Sequence, residues 1–312
     1  MLFGAMFHHF KYGAEERSPG AISGDQFHGI VDYLSRESSI VGASEFRSRL
    51  TGNSRNQSGV VLTFDDGLAS HYHLVRPILT KLGIQGIFAI YSSVFSSDPD
   101  PLELFAAFRN QEFESFTDFW SEFLEEFSKH NAGLVNRLSE FDETQFLSEF
   151  PFYTSEEKRF RYARDVLLRR EEYEAIMWSL IRAHREFDYK KVASQVWMSE
   201  KQVREIWEDG HEIALHSHTH PTRMDILTKS EQEAEYLENF QWLSRIATRP
   251  SAVAHPCGRY DEITLDVLES LGVDLGFKST FDSMPIRSQL EVPRIDHTEL
   301  LSLSNANGAL PG

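Results

Sequence analysis

Residues 59–67, which decide the fold, read Gly-Val-Val-Leu-Thr-Phe-Asp-Asp-Gly. The first six of them form a compact apolar run that predicts a buried strand, and the turn Asp65-Asp66-Gly67 follows at once. Residues 68–82 then carry apolar side chains at helical spacing, and Gly83 is a natural end for that helix. We therefore expect both aspartates at the carboxyl end of a parallel strand, where α/β barrels assemble their chemistry.

The same alternation of strand and helix recurs along most of the chain. Ahead of residues 59–83 we predict a strand at 2–10 and a helix at 23–36, and after them a strand at 84–91. The later elements are predicted helices at 199–210, 230–246 and 261–271 and strands at 212–215, 252–254, 275–278 and 292–295. This order predicts an α/β fold, a distorted (β/α) barrel of about seven parallel strands.

One long segment interrupts this pattern. Between about residues 95 and 196 no strand is predicted, and aromatic and acidic side chains recur at helical spacing, as at Phe116, Phe119 and Phe123. The segment is long enough to form a subdomain. We predict a barrel made of residues 1–95 and 197–312, with a helical insertion at 96–196.

Composition limits the classes of partner and location. The chain has 312 residues, is 41% hydrophobic and carries a formal net charge of -17, which disfavours nucleic acid and anionic membranes as partners. Residues 1–13 lack the pattern of a secretory signal, and no apolar stretch reaches the length of a membrane span. The single cysteine, Cys257, allows no internal disulfide. We predict a cytoplasmic protein; the sequence does not indicate its oligomeric state.

A second motif follows the strand predicted at 212–215. It reads His216-Ser217-His218-Thr219-His220-Pro221, and proline disfavours helix in the residue before it. One carboxylate of the Asp-Asp pair can converge with two of these imidazoles, which leaves the other carboxylate as a general base. Three protein ligands with an open fourth position are typical of a hydrolytic metal site. His218 fits either a substrate contact or a ligand.

These motifs resemble those of the polysaccharide deacetylase family, carbohydrate esterase family 4, also called the nodulation-protein deacetylase homology domain. Thr63-Phe64-Asp65-Asp66-Gly67 matches its first motif, and His216, Ser217 and His220 match its His-Ser/Thr-x-x-His motif. Phe7-His8 resembles the Tyr-His that opens one branch, and Ala254-His255-Pro256-Cys257-Gly258 resembles the Tyr-Pro-Tyr-Gly motif of that branch. The resemblance covers residues 1–95 and 197–297, so the insertion lies outside it.

The resemblance implies a role for each matching residue. Asp65 would be the catalytic base, and the backbone N–H of Cys257 would donate to the oxyanion, a role that does not depend on the side chain. One divalent metal is implied, with zinc as the first choice and cobalt, nickel, manganese or iron as other fits. The implied metal ligands are Asp66, His216 and His220, and the candidate substrate contacts are His218, His255 and His8.

Two family features are not visible in the sequence. Many members have an arginine at the position of Ala254 that orients the base, and a late Leu-x-His motif that supplies the general acid. Arg294 could replace the arginine, and His297, His255 or His218 could donate the proton.

The function predicted from these residues is metal-dependent removal of an N-acetyl group from an amino sugar, in a glycan precursor or an oligosaccharide. Two alternatives stay open. The first is a metal-dependent phosphoesterase of the polymerase-and-histidinol-phosphatase type, in which both His216 and His218 would bind metal. The second is a sugar-binding deacetylase homologue that has lost catalysis.

Overall fold

The computed structural model describes residues 1–52, 58–97, 99–130, 132–142, 144, 146, 147, 153–282 and 285–311. Within them, one seven-stranded sheet contains only parallel neighbours, in the order β6, β5, β4, β3, β2, β1, β7. The strands are β1 (Leu2–Phe7), β2 (Gly59–Phe64), β3 (Gly86–Ile90), β4 (Glu212–Leu215), β5 (Ala252–Ala254), β6 (Leu275–Phe277) and β7 (Arg294–Asp296).

One stretch of chain joins the two edges of this sheet. Gly276 in β6 donates its N–H to the carbonyl of Gln289 and accepts from the N–H of Val292, both at 2.8 Å. Directly afterwards the chain enters β7, which pairs with β1. A side chain at position 276 would place its Cβ directly against the Leu290 carbonyl oxygen, so only glycine permits this approach. The sheet is a nearly closed, distorted (β/α) barrel, which confirms the predicted fold class.

Helices surround the strands or follow them along the chain. They are α1 (Gly24–Glu37), α2 (Ala43–Thr51), α3 (Arg76–Leu82), α4 (Leu102–Glu112), α5 (Phe116–His130), α6 (Ala132–Ser139), α7 (Ser155–Tyr162), α8 (Arg170–Ala183), α9 (Tyr189–Val196), α10 (Glu200–Glu208), α11 (Lys229–Ile246), α12 (Glu262–Ser270) and α13 (His297–Ala306). Ser23 and Ser199 cap α1 and α10 by accepting the N–H of Gln26 and Gln202. No described helix is both long and apolar enough to cross a membrane.

Apart from shifts of up to two residues at element ends, two predicted elements differ from the structure. Residues 69–82 are helical, as predicted, but His71–Val75 forms a π-helical turn ahead of α3. Pro77 has no N–H to donate to the preceding turn, which accounts for the irregular hydrogen bonding at this point. The first strand ends at Phe7, three residues earlier than predicted, because Phe10 pairs instead with Ile22.

By their internal contacts, the residues fall into two compact units. The first comprises Met1–Tyr12, Ile22–Asp100 and Trp197–Gly312 and contains the sheet, and the second comprises Gly13–Ala21 and Pro101–Val196. The segment 13–21 is predicted as part of the barrel. It groups with the helical unit, where the Asn110 amide donates to the Ser18 hydroxyl at 3.0 Å. Phe119, Phe123 and Phe127 of α5 are buried in that unit, which marks them as core, whereas Phe116 is half-buried.

The alternation of side chains along β2 determines what faces the barrel interior. Phe64 stacks between Phe7 of β1 and Phe88 of β3, with ring centroids 5.3 and 4.7 Å away. Because successive side chains of a strand point to opposite faces, Thr63 and Asp65 face the other way. The carboxyl end of β2 therefore delivers Asp65 into the barrel mouth, on a strand anchored by aromatic packing.

Candidate active site

Three of the predicted ligands meet at the carboxyl ends of β2 and β4. The Oδ1 atom of Asp66 lies 3.2 Å from Nε2 of His216 and 3.3 Å from Nε2 of His220. One ligand atom from each residue lies within 4.8 Å of the others, and all three residues are buried. This spacing suits three ligands of a single cation.

The hydrogen bonds around this cluster test whether a cation fits it. His216 Nδ1 lies 2.7 Å from the carbonyl oxygen of Ala254, so Nδ1 carries a proton that it donates to this oxygen. The other ring nitrogen, Nε2, faces Asp66. The buried Oδ1 of Asp66 has no hydrogen-bond partner of acceptable geometry among the described residues. A carboxylate oxygen that faces two imidazole nitrogens needs a cation between them, either a proton or a metal ion. The donor set therefore fits a divalent metal.

The charge state of Asp66 agrees with this role. Burial alone would raise the pKa of the Asp66 carboxyl, but the imidazoles of His216 and His220 hold it well below its usual range. Burial would likewise lower the pKa of His216, yet the Asp66 and Asp65 carboxylates outweigh burial and raise it. The site thus keeps an ionised carboxylate and attracts a positive charge to the space between the three side chains.

The backbone that presents these side chains is strained. Six non-glycine residues of the described chain have positive φ, and four of them, Asp66, Ser217, His220 and Cys257, lie in the site motifs. Each left-handed residue costs about 1–2 kcal/mol, and such residues cluster at functional sites. Ser217 offsets part of the cost, because its hydroxyl accepts the N–H of His220 at 3.1 Å. This local side-chain hydrogen bond therefore helps to stabilise the strained backbone.

Asp65 and Arg294 form a buried ion pair beside the metal cluster. The two guanidinium Nη atoms each lie 2.8 Å from a different Asp65 oxygen, and Nη1 also donates to the Thr63 hydroxyl at 3.2 Å. Burial would raise the pKa of Asp65, but the Arg294 charge and the nearby imidazoles lower it, so the carboxylate is ionised. The structure thus brings Arg294, the predicted base-orienting residue, into contact with Asp65.

Gly4 makes room for this arginine. A Cβ atom at position 4 would lie 2.9 Å from Cγ of Arg294 and 3.2 Å from the Phe277 ring. The Arg294 side chain cannot move aside freely, because its Nε donates to the carbonyl of Lys278 at 2.9 Å. Glycine in β1 is therefore a requirement of the ion pair that spans this strand, between Asp65 after β2 and Arg294 in β7.

His8 lies beside Asp65, and His297 lies close to His8. His8 follows β1, and its Nε2 is 3.6 Å from Oδ2 of Asp65 while 27% of its side chain is exposed. His297 is buried, with Nδ1 3.7 Å from Oδ2 of Asp296 and its ring centroid 6.5 Å from that of His8. His8, Asp296 and His297 also bring ligand atoms within 4.8 Å of one another. Sequence reasoning missed Asp296, although its place just before His297 was a usable signal.

The remaining candidates are engaged elsewhere. His218 contacts the Ser92 hydroxyl through Nδ1 at 2.9 Å and Glu238 through Nε2 at 3.4 Å, and it does not join the ligand cluster. This arrangement gives no support to the phosphoesterase alternative, which needs His218 as a ligand.

His255 and Cys257 flank the site after β5. His255 is buried against the Tyr260 ring, and its Nε2 lies 2.8 Å from the carbonyl of Leu290. Burial lowers the pKa of His255 to about 4, so it is neutral near pH 7. Cys257 is exposed in a turn with φ of 51°. Hence His255 has the contacts of a structural residue, while Cys257 borders the solvent.

Comparisons with known proteins connect this site to a family. Residues 167–276 match the family model described as polysaccharide deacetylase, and this range includes His216, His220 and Cys257. A comparison with curated proteins found no match. The resemblance of this chain to the polysaccharide deacetylase family, predicted from its motifs, is confirmed.

Solved structures share the whole fold at low sequence identity. The Streptococcus pyogenes deacetylase PplD in complex with acetate is 16% identical, with a TM-score of 0.57 over 97% of both chains. IcaB from Ammonifex degensii is 15% identical, with a TM-score of 0.58 over 97% of this chain and 96% of that one. A de-N-acetylase from Aggregatibacter actinomycetemcomitans is 15% identical, with a TM-score of 0.53 over 95% and 94%. At these identities the likeness shows the fold.

Proposed function

We propose that this protein is a metal-dependent carbohydrate N-deacetylase, a hydrolase that removes the acetyl group from an N-acetylated amino sugar. The family match supports the coarser statement, a carbohydrate deacetylase. The observation that carries the proposal is that two buried groups of side chains lie side by side. They are the cluster of Asp66, His216 and His220 and the ion pair of Asp65 and Arg294. One unit suits a cation and the other a base, and a hydrolysis needs both.

Asp66, His216 and His220 would hold one divalent cation. When bound, it would polarise the acyl oxygen and lower the pKa of the attacking water. Two imidazoles and one carboxylate suit zinc, which we propose as the metal, and also other first-row ions. Ala254 fixes the His216 tautomer through its carbonyl, so Nε2 is available as a ligand atom.

Asp65 would take the proton from the attacking water. The two hydrogen bonds from Arg294 fix the carboxylate plane and keep it ionised, while its neighbour Asp66 is occupied by the cluster. Because the two side chains follow each other in the Asp-Asp-Gly turn, they reach the same reacting group from different positions.

His8 would return a proton to the leaving nitrogen. His8, predicted from the sequence as a substrate contact, lies 3.6 Å from Asp65 with a partly exposed side chain, whereas His297, the predicted general acid, is buried beside Asp296. His297 and Asp296, whose ligand atoms lie within 4.8 Å of that of His8, would orient it. The backbone N–H of Cys257 would donate to the developing oxyanion, because the turn after β5 places this exposed residue at the same end of the barrel.

The test is release of acetate from N-acetylglucosamine oligomers and from nucleotide-linked N-acetyl sugars by the metal-reconstituted protein. Asp65→Asn removes the base and is expected to lower kcat by about 10²–10⁴-fold without loss of bound metal. Asp32→Asn, at an exposed aspartate of α1, is the matched control and should keep parental activity. An Asp65→Asn protein as active as the parent would contradict the assignment.

Two further measurements separate the alternatives. One metal ion per chain agrees with the deacetylase, whereas two or three would favour the phosphoesterase. Sugar binding without turnover across all divalent metals would favour a homologue without catalysis. The cytoplasmic location stays a prediction, and cell fractionation would test it.

A further inference from the structure

The loop that carries both histidine ligands, residues 216–220, is held from two sides. On one side lies the turn after β3, where the N–H groups of Ser92 and Ser93 donate to the carbonyls of Ser217 and His218 at 3.3 and 2.9 Å. On the other side lies α11, which presents two polar residues one turn apart, Glu235 and Asn239. These two residues have no part in the chemistry proposed above.

Glu235 collects three donors of the loop. Its Oε2 accepts the N–H of His218 at 2.9 Å and the N–H of Thr219 at 2.8 Å. Its Oε1 accepts the Thr219 hydroxyl at 2.7 Å. A carboxylate that accepts several backbone N–H groups makes stronger hydrogen bonds than a neutral acceptor, so Glu235 fixes the middle of the loop.

Asn239 fixes the start of the loop. It is fully buried, and its Oδ1 accepts the N–H of His216 at 3.0 Å while its Nδ2 donates to the carbonyl of Ile90 at 2.9 Å. The Asn239 side-chain amide thus links the end of β3 to His216, the first of the proposed ligands, at the end of β4. Neither a carboxylate nor a hydroxyl could replace both contacts in this geometry.

We infer that Glu235 and Asn239 form a clamp on α11 that sets the metal affinity of the 216–220 loop. The inference rests on the proposed function, since it takes His216 and His220 as the ligands. Ser217 and His220 both have positive φ, so the free loop would relax to other conformations and separate the two imidazoles. Residues of the clamp are positioning residues, because they act through the loop backbone.

The decisive variant is Glu235→Gln, which keeps the shape of the side chain. An amide offers one oxygen where the carboxylate offers two, so an NH2 group faces the loop N–H groups or the Thr219 hydroxyl loses its acceptor. The matched control is Glu233→Gln, at an exposed glutamate of the same helix whose nearest cation is Lys229 at 3.8 Å.

Two readouts that need no turnover are measured on the full chain. Zinc affinity is determined by competition with a chromophoric chelator, and backbone hydrogen exchange of the peptide covering 216–220 is followed on the metal-free protein. We expect Glu235→Gln to weaken zinc binding about 10-fold or more and to speed exchange of this peptide, with an unchanged melting temperature of the metal-free protein. Glu233→Gln should stay within twofold of the parent for both readouts.

The outcomes distinguish the clamp from the proposed function. Parental zinc affinity and exchange in Glu235→Gln would overturn the clamp, even if the parent releases acetate. Weaker zinc binding and faster exchange in that variant, with no acetate released from any sugar by the parent, would support the clamp and refute the deacetylase. A parent that binds no zinc, nickel, cobalt or manganese would refute the metal centre and the clamp's role in it. Asn239→Leu should weaken zinc binding further. If the Asn239→Leu protein does not fold, Glu235→Gln alone tests the clamp.

Discussion

Replacing Arg294 by methionine tests the link between the buried ion pair and catalysis. The change removes both 2.8 Å contacts to Asp65 and leaves its carboxylate buried, with 2% of the side chain exposed. Breaking a buried pair by removing one partner costs about 3–5 kcal/mol, because the remaining charge loses its compensation. We expect that loss in the free energy of unfolding, measured by urea denaturation of the metal-free protein at pH 7.

The catalytic effect should exceed the effect on the fold. An unpaired Asp65 loses its orientation, and its pKa rises because burial is no longer opposed by the guanidinium. We expect acetate release to fall by about 10²-fold, with zinc content unchanged. Arg294→Lys should be intermediate, since an ammonium group keeps the charge but cannot make both parallel contacts.

A double-mutant cycle and a control complete this test. Asp65→Asn combined with Arg294→Met removes the buried charge and should recover most of the stability lost in Arg294→Met. The control is Arg47→Met, at an arginine that pairs with Glu212 and Asp274 near the opposite ends of the strands. It should lower stability while keeping activity. The reasoning fails if Arg294→Met keeps parental activity, or if the double variant is no more stable than Arg294→Met.

Four further predictions concern single residues. Gly4→Ala, whose Cβ would lie 2.9 Å from Cγ of Arg294, should lower the free energy of unfolding by about 1–3 kcal/mol and reduce acetate release. Parental values of both quantities would show that β1 shifts to accommodate the added carbon. Cys257→Ala should keep acetate release within about threefold, because a backbone donor does not depend on the side chain; a 10²-fold loss would point to the thiol. Tyr236→Phe removes a buried hydroxyl without a hydrogen-bond partner among the described residues, so urea denaturation should show a gain of about 1 kcal/mol, and a loss would reveal a partner. Burial lowers the pKa of His71 to about 4, below its unfolded value, so the unfolded chain binds the proton first and stability falls as the pH drops from about 6.5 to 4. The slope should reach about 1.4 kcal/mol per pH unit from this residue, and His71→Gln should reduce it.

The sequence by itself determined the barrel and the side chains that meet at the candidate site. Its strands follow from short apolar runs, and β2, β4 and β5 begin and end where the pattern predicted. The motifs at 63–67 and 216–220 also predicted which side chains would meet, because the carboxyl ends of parallel strands lie at one end of a barrel. Local patterns suffice for such features, since periodicity and turn residues act over a few positions.

Only the tertiary structure decided the contacts between distant parts of the chain. Arg294 reaches Asp65 across 229 positions, and Gly4 matters because β1 happens to lie between them. The clamp residues on α11 and the exposure of His8 are likewise invisible in the sequence, where glutamate, asparagine and histidine are common surface residues. Packing brings these groups together, and neither spacing nor composition encodes which of many polar side chains a fold will bury beside a carboxylate.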